Sequence, residues 1–135
     1  MRSFLCALFL FGSAGTLAEL VLLEHTEDYW QKLPLALLAL GITAVAASAF
    51  RHRVSTIRAV RLLMVLFVLS GGVGLYQHYQ GNLEFELEMN ASRHGWELAW
   101  ETLKGATPTL APGTMLYLGL LGLAYAHLPR PTTSR

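Results

Sequence analysis

The sequence predicts an all-α membrane protein in which a bundle of four transmembrane helices carries a short extracytoplasmic cap. Only 14% of the 135 residues are charged, whereas roughly 25% is typical of soluble domains. Long apolar stretches with almost no charge alternate with short segments that carry most of the charged residues. Some of these connecting segments are rich in arginine, and the others are rich in glutamate. Together the three observations are typical of a chain that crosses a lipid bilayer repeatedly.

Four apolar segments form the predicted spans, at residues 4–23, 33–50, 61–77 and 112–128. An α-helix rises about 1.5 Å per residue, so about 20 residues cross a hydrocarbon core of roughly 30 Å. Apolar sequence in the first segment continues well beyond Ser13 and Gly15, which favours an uncleaved span over a signal peptide. The fourth segment is short for a span, so we expect it to stand nearly upright in the bilayer.

Small residues predict where the spans approach each other closely. In the second span Ala39, Thr43 and Ala47 recur about one turn apart, and we expect this ridge to pack against a neighbouring helix. Glycines form similar patches on the third and fourth spans: Gly71, Gly72, Gly74, Gly119 and Gly122. Glycine lets helix backbones come close in a membrane, so these patches are expected to pack the bundle.

The arginines predict the orientation of the chain. The segment between the second and third spans contains Arg51, Arg53, Arg58 and Arg61 and no acidic residue. By the positive-inside rule this segment faces the cytoplasm. An even number of spans places Arg2, Arg130 and Arg135 on the same side, so both termini are expected in the cytoplasm. The membrane expected by default is the bacterial cytoplasmic (inner) membrane.

Residues 78–111 are expected to form the cap on the outer side. Gly81-Asn82 is a turn signal, and residues 83–89 alternate between apolar and acidic side chains. This alternation predicts an extended ribbon, although so short a run also allows a helix. Ser92 and Gly105 suit the two ends of a further helix. On that helix Trp96 and Trp100 share one face, which predicts an amphipathic helix at the membrane interface or against a partner.

The cap is also the predicted docking surface. Its proposed partner-binding residues are Leu83, Phe85, Leu87, Trp96, Trp100 and Leu103. We therefore expect an accessory or interaction subunit that contacts the lipid bilayer and binds a protein partner or a second copy of itself. Nucleic acid is not an expected partner, because the formal net charge is only +1 and no basic patch is present.

An alternative function follows from histidines and carboxylates at the outer ends of the first and third spans. Glu19 lies inside the first span, where a carboxylate is costly unless it faces a cavity, a partner or the bundle interior. Mixed imidazole and carboxylate ligands suit zinc, iron or manganese, and such groups also serve proton coupling. The candidate residues are Glu19, Glu24, His25, Asp28, His78, Glu84 and Glu86. Their spacing matches no known metal signature.

No motif predicts catalysis, so the sequence favours a non-enzymatic protein. The chain has no GxSxG motif and no phosphate-binding loop. Its one cysteine, Cys6, excludes a CxxC pair and an intramolecular disulfide. Haem is disfavoured because the histidines that could ligate it, His25, His52, His78 and His127, lie at the ends of spans. We expect no bound cofactor, with a transition metal as the alternative.

Overall fold

The computed structural model describes residues 1–50 and 53–129. Within these residues the chain forms helices and no strand. The helices are α1 (Arg2–Leu22), α2 (Tyr29–Phe50), α3 (Val54–Met89), α4 (Gly95–Lys104) and α5 (Gly113–His127). Of the residues used to predict orientation, Arg51, Arg130 and Arg135 lie outside the described residues, as does His52.

Three helices of the described chain, α1, α2 and α3, are long and apolar enough to cross a membrane. With 36 residues, α3 is about 54 Å long, so it exceeds a hydrocarbon core of roughly 30 Å. With 15 residues, α5 is only about 22 Å long. The all-α class is therefore confirmed, and three of the predicted spans lie in helices that are long and apolar enough to cross a membrane. A fourth crossing by α5 stays a prediction.

The prediction of an extended ribbon at residues 83–89 is wrong. Helix α3 continues through this segment to Met89, and the turn expected at Gly81-Asn82 is also absent. The inward-facing positions here are Asn82, Leu83 and Glu86, which follow helical spacing. Extending an existing helix avoids the cost of nucleating a new element. The alternating side chains therefore continue the helix rather than start a strand.

Helices α1, α2, α3 and α5 pack side by side in a closed ring. In this ring α1 contacts α2 and α5, and α3 contacts the same two helices. Phe9 of α1 and Phe67 of α3 meet across the centre with their ring centroids 5.8 Å apart. Leu38, Met64 and both phenylalanines are fully buried. The middle of the ring is therefore a continuous apolar core.

Glycines bring α3 and α5 into close contact, as predicted. A Cβ atom on Gly71 would lie 2.7 Å from the backbone nitrogen of Leu116. One on Gly119 would lie 2.8 Å from the carbonyl oxygen of Met64. Both contacts involve backbone atoms, so any larger residue would push the two helices apart. Gly72 differs, because a Cβ atom there would meet nothing within 4 Å.

The expected packing of the Ala39, Thr43 and Ala47 ridge against another helix of the chain is wrong. All three residues are exposed. Instead, α2 turns Leu38, Gly41 and Val45 inward, together with Leu37 and Ser48. The ring of Phe67 lies over Gly41 so closely that a Cβ atom there would be 2.7 Å from it. This face buries more apolar surface than the alanine ridge would, which stabilises the observed rotation of α2.

The ring has two different ends. At one end α1 finishes and α2 and α5 begin; we call it the α4 end, because α4 packs there on the extended part of α3. At the opposite end two arginines bond to the last carbonyls of α5. Arg61 Nη2 donates to the Ala126 oxygen at 3.1 Å, and Arg2 Nη1 donates to the Leu128 oxygen at 3.5 Å. Cations at a helix C-terminus are favourable, so these bonds stabilise this end.

Candidate functional site

A cavity of about 900 Å³ lies between the helices at the α4 end. It is lined by the last turns of α1, the first turns of α2 and α5, the middle of α3 and the connections between these helices. Ligand pockets in proteins generally measure roughly 300–1,000 Å³. The cavity is therefore large enough to hold a small molecule.

Four of the seven predicted metal-site residues line this cavity: Glu19, His25, Asp28 and His78. They come from α1, from the connection between α1 and α2, and from α3. Glu19 and His78 are 59 positions apart in the sequence, and the fold places both in the lining of the cavity. Glu19 and Asp28 are exposed where they line the cavity, so the role expected for the Glu19 carboxylate stays a prediction. Polar side chains of Thr16, Ser70 and Gln77 share the same wall.

His78 is held in place by a backbone carbonyl. Its Nδ1 lies 3.2 Å from the Pro108 oxygen. A carbonyl oxygen only accepts hydrogen bonds, so Nδ1 carries the proton. In the neutral imidazole this leaves Nε2 as the acceptor. The bond also ties α3 to the connection that leads into α5.

Asp28 has a structural role that the sequence analysis missed. Its Oδ1 accepts a hydrogen bond from the Gln31 backbone N–H at 2.8 Å. In return Gln31 Oε1 accepts one from the Glu27 backbone N–H, also at 2.8 Å. This reciprocal arrangement resembles a capping box and fixes the start of α2. An Asp followed by Gln three positions later could have revealed the cap in the sequence.

The other three candidates, Glu24, Glu84 and Glu86, lie outside the cavity. Glu24 has a φ of 52° and ends α1, where the His25 N–H donates to the Leu20 carbonyl at 3.0 Å. This is the position that a helix-ending glycine usually takes. Glu84 is exposed, and Glu86 forms an ion pair with Arg93. These three carboxylates therefore do not line the cavity.

In the described part of the chain, no three side chains of His, Cys, Asp or Glu come close enough together to hold a metal ion. The four cavity residues share one space without forming such a group. The predicted metal site therefore stays a prediction, and this geometry adds no ligand set to it.

Asn82 is the main residue that the sequence analysis underrated. Its side chain is 1% exposed and joins α3 to the connection between α4 and α5. Asn82 Nδ2 lies 3.1 Å from the Thr102 oxygen and 2.8 Å from both the Thr107 oxygen and Thr109 Oγ1. Its Oδ1 accepts from the Thr107 backbone N–H at 3.0 Å and from Thr107 Oγ1 at 2.7 Å. Gly105 permits this approach, because a Cβ there would lie 2.7 Å from Nδ2.

Helix α4 carries an exposed aromatic face, as the sequence predicts. Trp96 is 76% exposed, Trp100 50% and Leu103 41%. The two indole rings stack with centroids 6.3 Å apart. Thr102 is fully buried on the other side of the helix. Of the remaining predicted docking residues, Phe85 and Leu87 are exposed on α3 and Leu83 is half-buried.

The start of α4 lies later than predicted. The helix begins at Gly95 with His94 as its N-cap residue, whereas Ser92 belongs to the preceding turn. There the Ser92 backbone N–H donates to Asn90 Oδ1 at 3.1 Å. Arg93 then connects α4 to α3 through ion pairs with Glu86 and Glu97. The end predicted at Gly105 is confirmed.

Comparison of the chain with protein-family models, curated protein sequences and solved structures found no match. The cavity and the exposed face of α4 are therefore the features that bear on function.

Proposed function

We propose that this chain is a small integral membrane protein that acts as a non-enzymatic interaction subunit. Its docking site is the aromatic face of α4, formed by Trp96, Trp100 and Leu103. The observation that supports the proposal is that these side chains are exposed on a helix whose other side packs on α3. Exposed apolar surface marks interaction sites, and tryptophan is enriched among the residues that dominate binding energy.

The proposed topology has four crossings, with α5 as the fourth. Helix α5 contains no Asp, Glu, Lys or Arg and closes the ring between α1 and α3. Its exposed side chains include Tyr117 and Leu120, which suit contact with lipid. A bilayer can thin locally around a helix that is shorter than its hydrocarbon core, at modest cost.

The proposed orientation follows the arginines. Arg53, Arg58 and Arg61, with their neighbour Arg51, place the α2–α3 connection in the cytoplasm. Both termini then lie in the cytoplasm as well, and α4 lies on the outer side. The proposed location is the bacterial inner membrane.

The proposal is tested by purifying the tagged full chain from its own membranes in a mild detergent. We expect a partner protein or a second copy of the chain to co-purify in a fixed ratio. The double variant Trp96→Ala/Trp100→Ala should lose it. Tyr117→Ala is the matched control, since it removes another exposed aromatic side chain on a different helix, α5. A complex that survives the double variant, or the absence of any complex with the unmodified chain, would contradict the proposal.

The metal-binding or proton-coupled alternative is supported by one observation. Glu19, His25, Asp28 and His78 line the same cavity. Its test is the metal content of the full chain after purification without chelator, measured by mass spectrometry. A near-stoichiometric transition metal that is lost in His25→Ala/His78→Ala would favour this alternative over the interaction subunit.

A further inference from the structure

The cavity at the α4 end is elongated and partly open to its surroundings, since Glu19, Asp28 and Trp30 in its lining are exposed. Its lining extends along α3 from Ser70 to Gly81, which corresponds to about 16 Å at the rise of an α-helix. Along α1 it extends from Thr16 to Leu23, or about 10 Å. A small organic molecule could lie in this space with its long axis roughly parallel to the helices.

The charged side chains of the lining give the cavity a negative character. Glu19 and Asp28 are the carboxylates, and among the described residues no lysine or arginine joins them in the lining. His25 and His78 add no formal charge when neutral. One oxygen of the Asp28 carboxylate accepts the hydrogen bond that caps α2. A positively charged ligand would therefore be attracted here, and an anion repelled.

The rest of the lining is largely apolar. Leu20, Val73 and Met115 form parts of the wall, and Trp30 adds an aromatic ring. Apolar walls bind the hydrocarbon part of a ligand, and a tryptophan ring attracts organic cations through its electron-rich face. The cavity thus combines two features, negative charge and apolar surface, that suit two parts of one molecule.

The core of the ring closes the cavity towards the opposite end. Phe9, Met64 and Phe67 are fully buried, and the two phenylalanine rings meet at the centre of the ring. A Cβ atom on Gly41 would already touch both rings. A ligand in the cavity therefore cannot pass through the centre of the ring, and the arrangement suits binding rather than passage.

We propose that this cavity binds a monovalent organic cation with an apolar body. The cationic group lies near the Glu19 and Asp28 carboxylates, and the apolar body contacts Leu20, Val73 and Met115. This site is distinct from the docking face of α4 and does not depend on the interaction-subunit proposal.

The test measures binding of radiolabelled tetraphenylphosphonium to the purified full chain in a non-ionic detergent, with empty micelles as background. Tetraphenylborate has almost the same shape and the opposite charge, so it separates charge recognition from partitioning. We expect saturable binding of the cation and none of the anion. Glu19→Gln should weaken cation binding about 3- to 10-fold, the range expected for an exposed charge. Glu84→Gln is the matched control, because Glu84 is an exposed carboxylate outside the cavity, and it should leave binding unchanged.

A second pair of variants tests the place of binding without removing a charge. Gly81 lines the cavity, and a Cβ there meets nothing within 4 Å, so Gly81→Phe should fill the space and abolish binding. Gly72 is equally open but does not line the cavity, so Gly72→Phe should bind normally. Three results would overturn the proposal: equal binding of both ions, unchanged binding in Glu19→Gln and Gly81→Phe, or a tightly held phospholipid or metal ion that excludes the cation.

Discussion

Replacing Asn82 by alanine should detach the connection between α4 and α5 from α3. The Asn82 amide is buried and is the only side chain of α3 in the described residues that bonds to both Thr102 and Thr107. Removing it leaves the Thr102 carbonyl with the Gly105 backbone N–H, at 3.3 Å, and a long contact to Thr109 Oγ1, at 3.4 Å. The Thr107 N–H loses its side-chain acceptor altogether.

The expected loss of local stability follows from the number of hydrogen bonds that Asn82 makes. One amide group has two donor hydrogens and accepts two hydrogen bonds, so Asn82 makes at most four good bonds here. A typical buried hydrogen bond contributes about 1 kcal/mol, which gives an upper value of about 4 kcal/mol. Thr107 is exposed, so water can replace part of this. We expect the connection to lose about 3 kcal/mol of local stability.

Hydrogen exchange at the Thr107 backbone amide is the direct assay. A loss of about 3 kcal/mol corresponds to exchange about 100-fold faster, if the amide exchanges by local opening. Asn90→Ala is the matched control. Asn90 Oδ1 also accepts bonds from a backbone N–H and a hydroxyl of one residue, Ser92, but at an exposed turn. Unchanged Thr107 exchange in Asn82→Ala would refute the assignment of Asn82 as the connector.

Two further predictions concern packing and topology. Gly119→Ala should lower the stability of the chain in detergent by about 1–3 kcal/mol, because the new Cβ meets the Met64 carbonyl. Gly72→Ala is the control: its Cβ lies in open space, so the thermal midpoint should stay the same or rise. Equal thermal midpoints in the two variants would contradict the close contact at Gly119. A cysteine at Ser55, in a Cys6→Ala background, should react with a membrane-impermeant maleimide only after the cells are permeabilised; labelling in intact cells would reverse the proposed orientation.

The apolar helices were predictable because hydrophobicity over about 20 residues is a strong signal. The rotation of each helix about its axis was harder to predict. On α2 the sequence offers two faces that could pack, the ridge with Ala39 and Thr43 and the face with Leu38 and Gly41. The choice depends on the bulky Phe67 of α3, which is distant in sequence. The pattern of residues along one helix carries no information about which residue of another helix packs against it.

Part of the candidate site could also be predicted from the sequence. Charged residues near the ends of α1 and α3 are expected at one level of a bundle, and this brought Glu19, His25 and His78 into the same prediction. The sequence could not tell which carboxylates have other partners. Glu86 pairs with Arg93 and Asp28 caps α2, and both roles depend on local geometry. The sequence predicts a turn at Asn82 because Gly81-Asn82 is a turn signal, whereas the buried partners of Asn82 lie 20 to 27 residues further along the chain.

The two ends of the ring differ in what fills the space between the helices. Around Gly41 and the two central phenylalanines, glycine lets the helices approach until side chains fill the interior. At the α4 end α3 and α5 still approach closely, because a Cβ atom on Gly74 would lie 2.7 Å from the Pro112 side chain. The cavity lies beside this contact, where the last turns of α1 and the first turns of α2 complete its lining. Hydrogen bonds from His78 and Asn82 fix the segment between α4 and α5 against α3 at the same end, so the part of the cavity wall that this segment forms is held by polar links as well as by the glycine contact.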